Sequence, residues 1–175
     1  MNKDKFLSFY KGTVNEASAS ACYDAIKSAL EQAGIYSDLT MLGAIATVRT
    51  EVGRAYKPVV ELADGSAYEF RKDLGNYCPG DGPRYKGRGY IQLTGRANYE
   101  AYGKYLNLDL ICHPELALDV TNSARILAQY FKVRQVNLAC NAKDWVKVRR
   151  LVNGGSNGLD TFLSIINQLK VAVNI

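Results

Sequence analysis

The chain has 175 residues, of which 47% are hydrophobic and 22% are charged, and its formal net charge is +5. These values are ordinary for a globular protein and fit one domain with a substantial core. No apolar run approaches the ~20 residues that cross a bilayer, so a transmembrane helix is excluded and no stable membrane association is expected. The modest positive charge favours a polyanionic partner such as a cell wall, nucleic acid or an acidic membrane face.

Two helices are predicted in the N-terminal part of the chain. Residues 15–33 are rich in Ala, Ser and Glu and are followed by Gly34, which is typical of a helix with a glycine stop. Ser37 or Asp38 can cap a second helix, in which apolar residues recur at helical spacing. This second helix should run to about residues 51–53.

The next segment, residues 54–89, is predicted to be a long and mostly irregular excursion. It contains clusters of turn residues such as Cys78-Pro-Gly-Asp-Gly-Pro83. Long loops within a compact domain are usually functional or disordered. The aromatic and charged residues of this excursion favour a functional role.

Helices return in the C-terminal half of the chain. The predicted helices are Ala97–Leu106, a helix capped by Thr121 or Asn122 that runs through Arg134, Asp144–Val152, and a last helix with an apolar face from Leu159 to Val173. The third of these ends at Asn153-Gly154-Gly155, a stop signal. The whole pattern predicts a mainly α single domain with a loop-rich middle.

Cysteine and histidine usage gives no metal-binding pattern. The four cysteines are widely spaced and form no Cys-x-x-Cys pair; they are Cys22, Cys78, Cys112 and Cys140. With only His113 available, no zinc site and no other metal or cofactor is expected. We expect reduced and mostly buried thiols, although an even number of cysteines also permits two disulfides.

Paired carboxylates are the most suggestive chemical groups in the sequence. Glu51 closes the second predicted helix against small and apolar residues, an environment in which a carboxyl group holds its proton more readily and can act as a general acid. A second carboxylate is needed to activate water or to act as a nucleophile in glycosidic bond hydrolysis. Glu61, Asp64, Glu69 and Asp73 all lie on the excursion, and their spacing does not choose among them.

The segment Arg84–Tyr99 has the composition of a ligand-facing surface. It contains three glycines, three arginines and three tyrosines within sixteen residues. Gly87 and Gly89 flank Arg88 and allow the backbone to approach a ligand closely. The tyrosines can stack on sugar rings or pack in the core. The polar residues that can hold substrate hydroxyls or a water molecule are Gln92, Thr94 and Asn98.

The order of residues in this segment also resembles that of a known family. Tyr85-Lys-Gly-Arg-Gly-Tyr-Ile-Gln-Leu-Thr-Gly-Arg-Ala-Asn-Tyr99 closely resembles the signature of the family 19 glycoside hydrolases, which comprise plant-type chitinases and the lysozyme-like endolysins of bacteriophages. Three further segments match in the same order: Thr50-Glu-Val-Gly-Arg54, then Glu69-Phe-Arg-Lys-Asp-Leu-Gly-Asn76 with Pro79-Gly-Asp-Gly82, then Val152-Asn-Gly-Gly155. The second of these is similar to the endolysin branch.

The resemblance implies a lysozyme-like two-lobed helical fold with a loop-rich central segment and a substrate cleft. It implies that Glu51 is the general acid, that a second glutamate is the general base, and that Thr94 helps to position the attacking water. Glu61 is the preferred base because it follows the acid closely, and Glu69 is the alternative. The candidate substrate-binding residues are Tyr85, Arg88, Gln92, Asn98, Tyr99 and Asn153.

The function expected from this resemblance is that of a peptidoglycan-degrading endolysin. It would cleave β-1,4 bonds between amino sugars by an inverting acid/base mechanism. The N-terminus has no signal-peptide pattern, so we expect synthesis in the host cytoplasm, release by a holin at lysis, and action in the periplasm and cell wall. The expected protein is a monomer with a single catalytic domain over residues 1–175 and no separate cell-wall-binding module. Its partner is the peptidoglycan glycan strand, not nucleic acid.

Two alternatives remain open at the level of sequence. One is a chitinase acting on β-1,4-linked N-acetylglucosamine, since chitin and peptidoglycan share N-acetylated amino sugars. The other is a non-catalytic glycan-binding module on a degenerate hydrolase fold.

Overall fold

The structure is a computed structural model that describes residues 1–173. The described chain is mainly helical, as predicted. Its α-helices are α1 (Lys3–Leu7), α2 (Glu16–Gln32), α3 (Asp38–Val52), α4 (Asp81–Arg84), α5 (Arg96–Leu106), α6 (Val120–Val133), α7 (Val136–Asn141), α8 (Trp145–Asn153) and α9 (Leu159–Leu169). Short 3₁₀ turns lie at Gly53–Ala55, Ser66–Tyr68, Lys72–Leu74, Pro114–Leu118 and Lys170–Ala172. Two strands, β1 (Val59–Val60) and β2 (Arg88–Gly89), form a small antiparallel pair.

Helix α3 is the central helix of the fold. Every residue from Thr40 to Val48 is buried, so the helix is enclosed on all sides. The Ser37 hydroxyl caps its first turn by accepting a hydrogen bond from the Thr40 amide at 2.9 Å. Gly43 allows α7 to pack closely, because an added Cβ there would overlap the Cys140 thiol. This enclosure fixes the last turn of α3, which carries Glu51.

Two hydrophobic clusters divide the molecule into two lobes. The larger cluster packs side chains from α1, α2, α3, α6, α7, α8 and α9. The smaller cluster consists of Tyr85, Leu93, Tyr99, Tyr102, Leu110, Ala117 and Ile126. Partly buried Ile91 and Tyr130 pack against both clusters and lie at the junction. The two-lobed helical fold expected from the resemblance is therefore present.

The segment between α3 and α5 is loop-rich, as predicted, but it contains short ordered elements. Strand β1 pairs with β2 in a register that places Val59 opposite Gly89 and Val60 opposite Arg88. The pairing continues at the backbone of Glu61, whose amide donates to the Gly87 carbonyl at 2.8 Å. The β1–β2 pair therefore brings Glu61 to the start of the family-like segment.

Several details of the predicted helices were wrong. Helix α6 is capped by Asp119, whose carboxylate accepts a hydrogen bond from the Asn122 amide at 2.9 Å, and not by Thr121 or Asn122. Helices α1 and α7 were not predicted, because they are too short to give a periodic signal. Helix α9 ends at Leu169, and the apolar face continues to Val173 through a 3₁₀ turn.

All four cysteines are free thiols in the structure. Cys22 and Cys140 are buried, and burial raises the pKa of each thiol to about 12. Cys78 and Cys112 are exposed, which contradicts the expectation that the thiols are mostly buried. Both exposed thiols lie in loop segments outside the two hydrophobic clusters.

Over residues 1–173, no helix is both long enough and apolar enough to span a membrane.

Candidate active site

Glu51 lies in the last turn of α3 and forms an ion pair with Arg149 of α8. The Glu51 side chain is 22% exposed, whereas the Arg149 side chain is only 5% exposed. The carboxylate is therefore partly accessible to solvent, while its cationic partner is almost completely buried. The residues near Glu51 in the sequence predict small and apolar neighbours, and nothing in that pattern indicates this arginine.

The late turn after α8 holds Arg149 in place. The Arg149 Nε donates to the Asn157 carbonyl at 2.8 Å, and the Asn153 amide donates to the same carbonyl at 3.2 Å. An added Cβ at Gly158 would lie 3.1 Å from the Arg149 guanidinium, so this glycine also shapes its pocket. Asn153 is exposed and remains available to a ligand through its carbonyl oxygen and part of its amide. Asn153 thus lies in the same hydrogen-bonded network as the partner of Glu51.

Tyr130 of α6 lies on the Glu51 side of the junction between the lobes. Its hydroxyl donates to the carbonyls of Leu151 and Val152, at 3.0 and 3.2 Å. Burial raises the pKa of Tyr130, the nearby Arg134 guanidinium opposes this rise, and the Glu51 carboxylate adds to it. Tyr130 therefore stays protonated, and its hydroxyl joins α6 to the last turn of α8 near the charge of Glu51.

Glu61 is held by two hydrogen bonds on its carboxylate. One oxygen accepts from the Tyr68 hydroxyl at 2.8 Å, and the other accepts from the Gly87 amide at 3.2 Å. The hydrogen bond to Glu61 raises the pKa of Tyr68, so its hydroxyl remains a donor at neutral pH. Charge-assisted bonds of this kind fix a carboxylate in one orientation. Tyr68 had not been identified as a site residue from the sequence.

Three polar groups converge on the space next to Gly87. An added Cβ at Gly87 would lie 2.8 Å from the Gln92 amide oxygen, 3.2 Å from a Glu61 carboxylate oxygen and 3.3 Å from the Thr94 hydroxyl. These three atoms therefore surround a point that only a glycine leaves open. The structure thus brings the preferred base, Glu61, together with Thr94 and Gln92.

Gln92 and Asn98 connect this cluster to its scaffold. Gln92 has a left-handed backbone with φ of 52°, and its amide nitrogen donates to the Val59 carbonyl at 3.0 Å and to the Gly89 carbonyl at 3.2 Å. The Thr94 hydroxyl donates to the Gln92 carbonyl at 2.8 Å, which leaves its oxygen lone pairs free to accept from water. The Asn98 amide donates to the Thr94 carbonyl at 2.7 Å. Asn98 therefore supports Thr94 from the first turn of α5.

Two of the candidate substrate contacts are buried, and a third is hydrogen-bonded to its own segment. Tyr85 and Tyr99 are 2% and 0% exposed and pack in the smaller hydrophobic cluster, so the expectation that they contact substrate is corrected. Arg88 is half-buried and donates to the Arg84 carbonyl at 2.8 Å, the Lys86 carbonyl at 3.2 Å and the Tyr99 hydroxyl at 3.1 Å. These bonds shape the segment that presents Gln92 and Thr94.

The alternative base, Glu69, is engaged elsewhere. Its two carboxylate oxygens accept hydrogen bonds from the amides of Gly80 and Gly82, at 2.6 and 2.8 Å. An added Cβ at Gly82 would lie 2.7 Å from the Glu69 amide, so this glycine allows the close approach. Glu69 therefore fixes the Pro79-Gly-Asp-Gly82 turn, and Glu61 is the carboxylate that faces Thr94.

A glutamate on a helix end and a second one beside the β1–β2 pair supply the two carboxylates that glycoside hydrolases use. The chain is 34% identical over 122 residues to a glycosyl hydrolase family 19 domain-containing protein from Haemophilus influenzae, a match that covers 69% of this chain and 58% of that relative. The chain belongs to the chitinase-like family 19 of the glycoside hydrolases.

Two further similarities agree with this family. Over 34 residues the chain is 59% identical to chitinase 8 of Oryza sativa subsp. japonica, which covers 19% of this chain and 13% of the relative. Chitinase C from Streptomyces griseus has a similar fold, with a TM-score of 0.67 and 21% identity over 86% of this chain and 68% of that one. No family model matches the chain. Because the matches cover 58% and 13% of the two curated relatives, the chain spans only part of their length.

Proposed function

We propose that this chain hydrolyses β-1,4 glycosidic bonds between amino sugars of bacterial peptidoglycan and acts as a bacteriophage endolysin. The observation that carries this proposal is the convergence of Glu61, Thr94 and Gln92 beside Gly87. A carboxylate next to a hydroxyl with free lone pairs is suited to hold and deprotonate a water molecule. A binding module would need neither group.

The proposed mechanism is inverting. Glu51 protonates the leaving oxygen, while Glu61 removes a proton from water on the opposite face of the sugar and Thr94 accepts a hydrogen bond from that water. In such enzymes the two carboxyl groups stand about 6.5–9.5 Å apart, which leaves room for the water. In this mechanism Arg149, the ion-pair partner of Glu51, stabilises the carboxylate that forms when the acid delivers its proton.

Two observations favour peptidoglycan as the substrate. The net charge of +5 suits an anionic cell wall. The segment Glu69–Asn76, followed by the Pro79–Gly82 turn, is similar to the endolysin branch of the family. Chitin is the second candidate, because the relative from Oryza sativa carries the name of a chitinase.

The biological setting belongs to the same proposal. The protein is made in the cytoplasm of an infected bacterium, reaches the periplasm when a holin opens the inner membrane, and cleaves glycan strands there as a monomer. Expression in Escherichia coli with and without a holin tests this route. Lysis that requires the holin supports it, and lysis without any holin contradicts it.

The substrate is tested by two assays in parallel. The unmutated protein should clear a suspension of outer-membrane-stripped Gram-negative cells faster than it releases sugars from colloidal chitin. Activity on chitin alone would move the assignment to the second candidate. Wall binding without any cleavage by the unmutated protein would instead identify a glycan-binding module. Glu51→Gln should remove hydrolysis in either case.

The stereochemistry of the product tests the mechanism. Proton NMR of a fresh digest should show the α-anomer first, because inversion converts the β-linkage. An initial β-anomer, or a covalent sugar on Glu61, would contradict the inverting mechanism.

A further inference from the structure

Phe70 is an exposed aromatic residue in a strained backbone position. Its φ is 56°, and its side chain is 57% exposed. It occupies the third position of a β-turn that the Arg71 amide closes on the Tyr68 carbonyl at 3.2 Å. The preceding Glu69 has φ of −63° and ψ of 132°, so the turn is of type II. This position strongly favours glycine or asparagine, and a bulky side chain there is an outlier.

The other left-handed residues that are not glycine have local explanations, and Gln92 is held by the two backbone carbonyls that its side-chain amide binds. Asn107, Gln135 and Lys143 follow the C-terminal ends of helices, where this conformation is common. Tyr56 is 1% exposed and is locked in the larger hydrophobic cluster. Phe70 has no comparable burial, so core packing does not account for its presence.

The backbone around Phe70 is held by its neighbours. The Glu69 carboxylate binds the amides of Gly80 and Gly82, and the Asn76 amide donates to the Tyr68 carbonyl at 2.8 Å. Arg71 donates to Asp73 at 2.8 Å through its Nε. The turn is therefore fixed on both sides of Phe70. The ring is presented to solvent by a rigid frame and not by a mobile loop.

The same turn is connected directly to the candidate base. Tyr68, two residues before Phe70, donates its hydroxyl to the Glu61 carboxylate at 2.8 Å. Phe70 is therefore only two residues from a side chain that contacts the candidate base, a separation that a strand of a few sugars can span. The flat face of a β-linked pyranose carries C–H groups that pack well on an aromatic ring.

We propose that Phe70 forms an accessory sugar-binding position, in which its ring stacks on a pyranose of the glycan strand away from the cleaved bond. This inference rests on the proposed function of the Glu61 site. Residues in strained backbone conformations cluster at ligand-binding sites, where the strain forms part of the binding geometry. Because this turn contacts Glu61 through Tyr68, the expected occupant is a sugar and not a lipid surface or a second copy of the chain.

The test separates binding from folding by replacing Phe70 with glycine. In a Glu51→Gln background, which prevents cleavage, calorimetry with the hexamer of N-acetylglucosamine measures the Kd. Phe70→Gly should weaken binding about three- to tenfold, as the loss of one aromatic stacking contact predicts. The same substitution should keep or raise the melting temperature, since glycine adopts this φ without strain. Phe70→Trp should retain the affinity.

Tyr105 provides a matched control, because its ring is also 57% exposed but lies on α5. Tyr105→Ala should leave the Kd unchanged. An unchanged Kd in Phe70→Gly, with cleavage by the protein that retains Glu51, would overturn this inference and leave the proposed function intact. The absence of both cleavage and oligosaccharide binding in the unmutated protein would overturn the two together. Loss of binding to phosphatidylglycerol vesicles, or loss of a dimer, in Phe70→Gly with an unchanged Kd would assign the ring to a membrane or to self-association instead.

Discussion

The guanidinium of Arg149 pairs with the carboxylate of Glu51 although 98 positions separate the two residues in the chain. The pair joins the last turn of α3 to α8, and the arginine is almost completely enclosed. A buried charge that loses its partner is strongly destabilising, because desolvation is then uncompensated. The geometry of the candidate acid therefore depends on a helix that contributes no residue to the family-like central segment.

Replacing Arg149 with methionine should reduce both hydrolysis and stability. We expect a loss of about a hundredfold in kcat, because the Glu51 carboxyl loses its fixed orientation. The free energy of unfolding should fall by ~2 kcal/mol, less than for a fully buried pair because Glu51 is partly exposed. Urea denaturation and a cell-wall clearing assay measure the two effects. Arg150→Met removes the same charge from an exposed neighbour and should change neither quantity appreciably.

Glu61→Gln should mainly reduce activity, whereas Glu69→Gln should mainly reduce stability. Loss of a general base typically costs about 10²–10⁴ in rate, so Glu61→Gln should be nearly inactive with a small change in stability. Glu69→Gln leaves one backbone amide of the Gly80–Gly82 turn without a carboxylate acceptor. The free energy of unfolding should therefore fall by ~1–2 kcal/mol. Kinetics and thermal denaturation of both variants decide the matter. A fully active Glu61→Gln protein would return the role of base to Glu69.

Gly87→Ala should disturb the cluster without unfolding the protein. The added methyl group would lie 2.8 Å from the Gln92 amide oxygen and 3.2 Å from a Glu61 oxygen, so these side chains must move. We expect kcat to fall at least about tenfold, since small displacements of catalytic groups have large effects on rate. Gly155→Ala is the control, because a methyl group there meets no atom within 4 Å. Equal activity of the two variants would show that the convergence at Gly87 is not required.

Thiol titration should divide the cysteines into two pairs. Cys78 and Cys112 should react with Ellman's reagent in the native protein at pH 8, whereas Cys22 and Cys140 should react only after unfolding. The Asp109 carboxylate, through a hydrogen bond and its charge, raises the pKa of Cys112, which should slow its reaction. Asp109→Asn should therefore accelerate the reaction of Cys112 with Ellman's reagent. Reaction of all four thiols in the native state would contradict the burial of Cys22 and Cys140.

The free energy of unfolding should fall in alkaline solution, because buried groups hold their protons more tightly in the folded state. Burial raises the pKa of Cys22 and Cys140 from 9.0 to about 12, and burial, opposed by Arg88, raises the pKa of Tyr99 from 10.0 to about 12. Because the folded state holds these protons more tightly, the resulting stability is complete below pH 9 and is lost as the pH rises towards 12. Urea denaturation at pH 8 and at pH 11 measures the difference. Equal midpoints would contradict this linkage.

The sequence predicted most long helices because their signals are local. Helices α2, α3 and α8 have good helix formers, polar caps or a glycine stop within the element itself. Helices α1 and α7 owe their place to tertiary contacts, such as the buried Phe6 and the contact of Cys140 with Gly43. A segment of five or six residues contains no sequence pattern that predicts such contacts.

The site was predicted in part for a similar reason. The family-like segment identified Gln92 and Thr94, and the structure brings Glu61 to them through the β1–β2 pair. Arg149 carried no local signal, because it resembles any other arginine on an amphipathic helix. The roles of Tyr85 and Tyr99 were undecidable from sequence, since a tyrosine serves equally well in a core or on a sugar.

The division of the molecule into two hydrophobic clusters also has a consequence for protein engineering. Glu51 and Arg149 are held by the larger lobe, whereas the excursion that carries Glu61, Tyr68 and Phe70 contributes little to that core. Libraries restricted to the exposed residues between β1 and α4 can therefore vary the surface next to the candidate base at small cost to folding. Variants that leave α3 and α8 unchanged keep the ion pair of the candidate acid while that surface is exchanged.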